Sequence, residues 1–211
     1  MRYKYFLFDW DGSLADTLPI WFGGYKKIFS NYGIKTTNAV IAKEIIGDWS
    51  GPERLGIGDT KSFFDDMENE VLEKLNKAKL NPGVMELLKY IIEKGGKVAV
   101  VTASRKRWVK TALRNNGLRE IVSVFLGKED VTYVKPDPES LLKALKLLGG
   151  NVNEAIMIGD NGKDVIAGRT AGMDTALYYP KTYREFYTEN IQQKWGSTYI
   201  FEDFGELVNL I

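Results

Sequence analysis

A short apolar run near the N-terminus ends abruptly in two acidic residues. Residues Tyr5–Phe8 read YFLF, and Asp9, Asp11 and Gly12 follow directly. A strand that is apolar at every position is typical of the centre of a parallel sheet, where both faces are buried. In open α/β sheets, ligands bind outside the carboxyl ends of the strands. The run therefore predicts a central strand whose end presents two carboxylates to a metal or a substrate, in preference to an Asp-Gly turn with solvated acids.

Alternating strands and helices are predicted after Pro82. Apolar and β-branched runs are interpreted as strands, and the amphipathic segments between them as helices. The predicted strands are 97–101, 122–126, 155–158, 175–179 and 198–201, and the predicted helices are 84–94, 105–115, 139–148, 164–171 and 204–211. Repeated strand–helix units indicate an α/β fold with a Rossmann-like, three-layer parallel sheet and right-handed crossovers.

Residues 16–81 show a different pattern, in which apolar residues recur at three- and four-residue steps. This spacing predicts helices over 18–29, 40–46 and 61–79, with a glycine-rich loop over 47–58 and no strand between them. The chain is therefore expected to form an α/β domain from residues 1–15 and 82–211, with residues 16–81 inserted as a small helical domain.

The composition restricts the chemistry of any metal site. The chain of 211 residues contains neither Cys nor His. Thiolate ligands, disulfides and the commonest general base are therefore excluded, and carboxylates remain the main candidates for acid–base chemistry. Oxygen ligands favour a hard cation such as magnesium, calcium or manganese.

The charge balance argues against nucleic acid and membrane partners. The formal net charge is +1, and the basic residues of the predicted helix 105–115 are interpreted as a solvated face. No apolar run reaches the length of a transmembrane helix, and no secretory signal precedes the first strand. We expect a cytoplasmic protein, a monomer or a homodimer, that acts on a small molecule.

Four stretches, in order along the chain, resemble the motifs of the haloacid dehalogenase (HAD) superfamily. FDWDGSLADT resembles motif I, VVTAS motif II, YVKPDPE motif III and MIGDNGKDV motif IV. The resemblance extends over the chain, which is similar to phosphoglycolate phosphatase-like HAD enzymes. These enzymes carry a helical cap inserted after motif I. It implies a HAD core with residues 16–81 as the cap.

The resemblance assigns the central chemistry to the first motif. Asp9 would be the nucleophile that attacks phosphorus, and its carboxylate would also bind Mg²⁺. Asp11 would bind the ion through its backbone carbonyl, while its side chain protonates the leaving oxygen and later deprotonates the attacking water. The implied reaction is magnesium-dependent hydrolysis of a small phosphomonoester through an aspartyl phosphate.

The later motifs would supply the remaining phosphate and metal contacts. The resemblance implies that Thr102, Ala103 and Lys135 bind the phosphoryl group. Asp160 would be a direct ligand of Mg²⁺, and Asp164 would hold ligand waters or orient Lys135. Acids gathered at one sheet edge repel one another unless a cation is present, which also favours magnesium at this site.

The sequence departs from the family pattern at two positions. Ser13 replaces the more usual Thr, and Asn161 follows the metal-binding acid where the family often has Ser; neither change removes a required functional group. Within the superfamily, a phosphosugar mutase or a phosphonate hydrolase with a cap Lys stays open, whereas Asp11 argues against a dehalogenase. A non-catalytic phosphate-binding module is the alternative from a different class.

Two aromatic features have more than one interpretation. Trp49 lies in the segment Gly47–Ser50, which is either a substrate-specificity loop or a connection between helices. The segment Tyr178–Tyr187 follows a strand end and either borders the site or packs in the core. The physiological phosphate ester is not specified by these patterns.

Overall fold

Six parallel strands form one sheet in the computed structural model, which describes residues 1–187 and 195–211. The strands are β1 (Tyr5–Phe8), β2 (Lys97–Val101), β3 (Val122–Leu126), β4 (Ala155–Gly159), β5 (Asp174–Tyr178) and β6 (Tyr199–Phe201). Their order is β3-β2-β1-β4-β5-β6, so that β1 lies between β2 and β4. The predicted α/β parallel sheet with a central first strand is confirmed.

Helices cover both faces of the sheet. They are α5 (Val84–Glu93), α6 (Lys106–Asn115), α7 (Glu139–Leu148), α8 (Gly162–Thr170) and α9 (Phe204–Leu207). Phe6 and Phe8 of β1 join the core that includes α5 and α6, whereas Leu7 packs into a second core beneath α7. Because alternate side chains of a strand point to opposite faces, a wholly apolar β1 serves both cores.

The inserted segment contains four helices. They are α1 (Leu18–Asn31), α2 (Asn38–Glu44), α3 (Gly51–Arg54) and α4 (Thr60–Asn76). The two connections to the sheet run side by side, since the Asp16 amide donates to the Lys79 carbonyl and the Asn81 amide to the Leu14 carbonyl, both at 2.9 Å. The insertion therefore joins the core beside the end of β1.

The exact domain boundaries stay a prediction, and residues 188–194 of the predicted core domain lie outside the described residues.

Several element boundaries differ from the predictions. The predicted loop 47–58 contains α3, whose first turn holds Pro52, a residue already fixed in a helical φ. Helix α8 begins at Gly162, before the expected start at Asp164, because Asn161 caps it in a reciprocal capping box with Asp164. Helix α9 ends at Leu207 and not at 211, and its buried residues are Phe204 and Leu207.

No helix among the described residues has both the length and the apolar content needed to cross a bilayer.

The packing of α1 on α4 generates a stability prediction at two adjacent glycines. A Cβ at Gly24 would approach the Val71 side chain at 2.5 Å, whereas a Cβ at Gly23 would meet nothing within 4 Å. We expect Gly23→Ala to raise the free energy of unfolding by about 0.5–1 kcal/mol through helix propensity. Gly24→Ala should instead lower it by about 1 kcal/mol, because overpacking outweighs the same gain.

Denaturant unfolding of both variants beside the wild type checks this contrast. Equal stabilisation by the two substitutions would contradict the close approach of α1 and α4.

Candidate active site

Three buried carboxylates lie together at the carboxyl edge of the sheet. Asp9 follows β1, Asp160 follows the neighbouring β4, and Asp164 lies in the first turn of α8. One oxygen from each lies within 4.8 Å of the others. Adjacent parallel strands end at the same edge, so residues about 150 positions apart in sequence become neighbours.

Lys135 lies between two of these acids. Its Nζ donates to Asp9 Oδ1 at 2.7 Å and to Asp164 Oδ1 at 2.6 Å, and its side chain is only 4% exposed. Burial acts to lower the pKa of Lys135, but the charges of Asp164 and Asp9 outweigh it and hold the pKa above its ordinary value. The ammonium is therefore a fixed positive charge beside Asp9.

One ammonium does not neutralise three carboxylates. Burial raises the pKa of Asp9 to about 7, against the opposing effect of Lys135, and the charges of Asp164 and Asp11 add to the rise. Burial, followed by the charges of Asp164 and Asp9, raises the pKa of Asp160 well above its usual range. Such a cluster of oxygen donors with excess negative charge fits a hard divalent cation.

Glycines make room for the cluster. At Gly12 the φ angle is +77°, and an added Cβ would overlap the Asp160 carboxylate. At Gly159 an added Cβ would overlap Asp164. The backbone can therefore approach these carboxylates closely only because both positions lack a side chain.

Asp11 points away from the three-carboxylate cluster. Its Oδ1 accepts hydrogen bonds from Thr17 Oγ1 at 2.9 Å and Trp21 Nε1 at 2.6 Å, and its Oδ2 accepts from Ser104 Oγ at 2.6 Å. The expected metal contact of Asp11 is through its backbone, which leaves the side chain available for proton transfer. The structure thus separates the two acids of the first motif: Asp9 lies in the buried carboxylate cluster, and Asp11 lies among neutral hydrogen-bond donors.

The second motif forms a tight loop after β2. The Thr102 amide donates to the Leu126 carbonyl at 3.0 Å, and Thr102 Oγ1 accepts from the Ser104 amide at 3.0 Å. Thr102 and Ala103 border the cavity next to Asp9. Ser104 does not cap α6, because its hydroxyl donates a hydrogen bond to Asp11. The Lys106 amide, in the first turn of α6, donates instead to the Glu129 carboxylate.

Trp49 connects the insertion to this loop. Its Nε1 donates to the Ala103 carbonyl at 3.1 Å, and its ring lies 4.7 Å from Phe64 and 5.6 Å from Trp108, centroid to centroid. Trp49 also lines the cavity over the catalytic edge. Its role in substrate specificity stays a prediction, but it is not merely a solvent-exposed connection.

Several contacts of the site were not predicted from the sequence. Tyr187 Oη donates to Asp160 Oδ2 at 2.7 Å, and Trp21 Nε1 donates to Asp11. The segment Tyr178–Tyr187 thus both borders the site and packs in the core, since the ring centroids of Phe186 and Phe22 lie 4.7 Å apart. The aromatic run was the only signal for Tyr187, and nothing local in the sequence indicated the bond from Trp21.

The buried Lys135 generates a prediction about stability. Lys135→Met should lower the free energy of unfolding by about 3–5 kcal/mol in a chelator-containing buffer, because it leaves buried carboxylates without their counter-charge. Adding Asp164→Asn should recover part of the loss. Denaturant unfolding measures both effects, with the exposed Lys146→Met as the matched control, expected within about 0.5 kcal/mol of the wild type. A negligible loss for Lys135→Met would contradict this charge balance.

Comparisons with known proteins agree with this geometry. The family described as haloacid dehalogenase-like hydrolase matches residues 6–178. A protein named pyrophosphatase PpaX from Halalkalibacterium halodurans is 28% identical, covering 97% of this chain and 95% of its own. A protein of the same name from Bacillus cereus is 31% identical to this chain, and the match covers 83% of each of the two chains.

Solved structures share the fold. A structure titled as a predicted phosphoglycolate phosphatase from Haemophilus somnus has a TM-score of 0.85 at 23% identity, covering 100% of this chain and 98% of that one. CbbY from Rhodobacter sphaeroides, solved in complex with phosphate, has a TM-score of 0.80 at 19% identity, covering 97% and 96%. With the family match over most of its length, the chain belongs to the haloacid dehalogenase-like hydrolases.

Proposed function

We propose that this hydrolase is a magnesium-dependent phosphatase that cleaves small phosphomonoesters through an aspartyl phosphate on Asp9. The observation that carries the proposal is the bond from the Lys135 ammonium to Asp9 within the buried carboxylate cluster, while Asp11 is held separately at the cavity. The names of the relatives, a pyrophosphatase and phosphoglycolate phosphatases, support phosphoryl transfer as the reaction class.

The cation would be held by the carboxylates of Asp9 and Asp160 and the backbone carbonyl of Asp11, with Asp164 acting through ligand water or Lys135. When bound, Mg²⁺ supplies positive charge that stabilises the phosphoryl oxygens and allows the three acids to be ionised together.

The first half-reaction joins Asp9 to phosphorus. A carboxylate oxygen of Asp9 attacks the phosphorus atom, and the bond from phosphorus to the leaving alcohol oxygen breaks. Lys135 offsets the negative charge of the transferred group, and Thr102 and Ala103 contact its oxygens from the motif II loop. Asp11 gives its proton to the leaving oxygen, so the product leaves as a neutral alcohol.

The second half-reaction releases phosphate. Asp11, now a carboxylate, removes a proton from a water molecule whose oxygen attacks the phosphorus atom. The bond between phosphorus and Asp9 breaks, which regenerates the free carboxylate. The hydrogen bonds from Thr17, Trp21 and Ser104 fix the orientation of the Asp11 carboxyl for this step.

The alternatives receive less support from the cavity. A phosphonate hydrolase would need a lysine from the insertion, but among the described residues the lysines that line the cavity are Lys135 and Lys163, both from the core. A phosphosugar mutase would need groups that bind sugar hydroxyls, and the wall opposite Asp9 is mainly aromatic. A non-catalytic module does not explain why Asp11 is held apart from the acidic cluster.

Substitution of the nucleophile tests the mechanism. Asp9→Asn should lower kcat by at least about 10³-fold, because an amide of the same shape cannot act as an anionic nucleophile. The measurement is phosphate release from 4-nitrophenyl phosphate, with folding checked by thermal unfolding. Asp16→Asn, at an exposed acid close to the same loop, is the control and should keep its activity. Near-normal turnover by Asp9→Asn would reject the aspartyl phosphate.

Removal of the metal tests the cation. Activity should disappear in EDTA and return with excess Mg²⁺. Mg²⁺ should also raise the Tm of the wild type, because it binds the folded acidic cluster and not the unfolded chain, and Asp160→Asn should weaken this effect. Titration calorimetry with Mg²⁺ gives the same comparison without turnover. Full activity in chelator, or an equal Tm shift in Asp160→Asn, would reject the proposed site.

A further inference from the structure

Asp160 is the acid of the buried cluster to which Lys135 does not bond. The hydrogen bonds of the Lys135 ammonium go to Asp9 and Asp164. Asp160 receives its hydrogen bond from Tyr187, whose Oη lies 2.7 Å from Asp160 Oδ2. Asn161 Nδ2 lies 3.4 Å from Asp160 Oδ1, which is longer than an ordinary N–H···O bond. In the described part of the chain, Tyr187 is therefore the one close donor to the Asp160 carboxylate.

The hydroxyl and the carboxylate are both fixed by their surroundings. Tyr187 is only 4% exposed and Asp160 is fully buried. The Tyr187 ring packs edge-on against Phe22 of α1, with the ring centroids 6.3 Å apart, and the Tyr179 hydroxyl donates to the Tyr187 carbonyl at 3.1 Å. The backbone at Gly12 approaches the Asp160 oxygen that Tyr187 binds, since an added Cβ would overlap that atom. The bond between the two side chains therefore holds the carboxylate in one orientation.

A neutral donor suits a carboxylate that binds a cation. A phenol hydroxyl donates one hydrogen bond and carries no charge, so it does not offset the negative charge that attracts a metal ion. The two oxygens of a carboxylate have about four acceptor sites, so the bond from Tyr187 leaves Asp160 able to contact an ion. Groups that hydrogen-bond to metal-binding carboxylates orient them, and the loss of such a group lowers metal affinity by about 10–100-fold.

We infer, on the basis of the cation site in the proposed function, that Tyr187 is a positioning residue for Mg²⁺, whose hydroxyl holds the Asp160 carboxylate in the orientation that receives the ion. Lys135 orients Asp9 and Asp164 with a positive charge, and Tyr187 orients the third acid without one. Tyr187 lies outside all four motif stretches. Its contact thus adds to the site a group from the segment that follows β5.

Removal of the hydroxyl tests this role without turnover. Tyr187→Phe keeps the ring, and it should raise the Kd for Mg²⁺ by at least about tenfold, measured by titration calorimetry on the metal-free protein. The Mg²⁺ concentration for half-maximal hydrolysis of 4-nitrophenyl phosphate should rise by a similar factor. The kcat at saturating Mg²⁺ should stay close to that of the wild type, whereas a merely structural loss would lower kcat at every Mg²⁺ concentration.

Tyr179→Phe is the matched control. It removes a buried hydroxyl from the same segment, one that donates to a backbone carbonyl and not to Asp160. Its Kd for Mg²⁺ should stay close to that of the wild type. Thermal unfolding in EDTA checks that the variants are folded, and if Tyr187→Phe is not, Tyr187→Met replaces it in the same comparison. An equal rise of the Kd in both variants would assign the effect to packing of the segment and overturn the role of the Tyr187 hydroxyl.

The outcomes distinguish this inference from the function on which it rests. Mg²⁺ binding by the wild type with an unchanged Kd in Tyr187→Phe would overturn the role of Tyr187 and keep the cation site. No binding of Mg²⁺ to the wild type, in both calorimetry and thermal unfolding, would overturn the proposed cation site itself, and the inference with it.

Discussion

The catalytic edge depends on one buried ammonium among carboxylates. Lys135 bonds to both Asp9 and Asp164, and without it the three acids at the ends of β1 and β4 would leave an uncompensated negative charge in the interior. Even with it, three carboxylates face one ammonium, and burial together with the neighbouring acids raises the pKa values of Asp9 and Asp160. The same imbalance that costs stability would be relieved by a divalent cation, the charge that the proposed mechanism places at this edge.

The inserted helices act on this edge through two indole groups. Trp21 of α1 donates to Asp11, and Trp49 donates to the carbonyl of Ala103 in the motif II loop. A displacement of the insertion would break both bonds, and it would change the environment of Asp11 and the phosphate loop together. In this arrangement the orientation of Asp11, the proposed proton-transfer group, depends on the position of the insertion, which would link exclusion of bulk water to the proposed chemistry.

The sequence predicted those parts of the structure that are determined locally. An apolar run followed by acids was sufficient to place Asp9 and Asp160 at strand ends, because strand burial and strand polarity follow from a few consecutive residues. Other donors at the site were not predictable, since Tyr187 and Ser104 reach Asp160 and Asp11 only through the packing of distant elements. Helix boundaries were missed for a related reason: the start of α8 is set by reciprocal capping at Asn161, and not by apolar spacing.

In the proposed mechanism, the groups that react and the groups that contact the leaving group come from different kinds of segment. The reacting groups belong to short motifs at the strand ends, so both family similarity and sequence pattern detect them. The opposite wall is assembled from α1, the connection after α2, α4 and α6, and no two of these segments are adjacent in sequence. Relatives can therefore share the phosphoryl-transfer chemistry while a few ring or charge substitutions in separate segments change the leaving group. Because the wall is a property of packing, its apolar character is visible only when the insertion and the core are seen together.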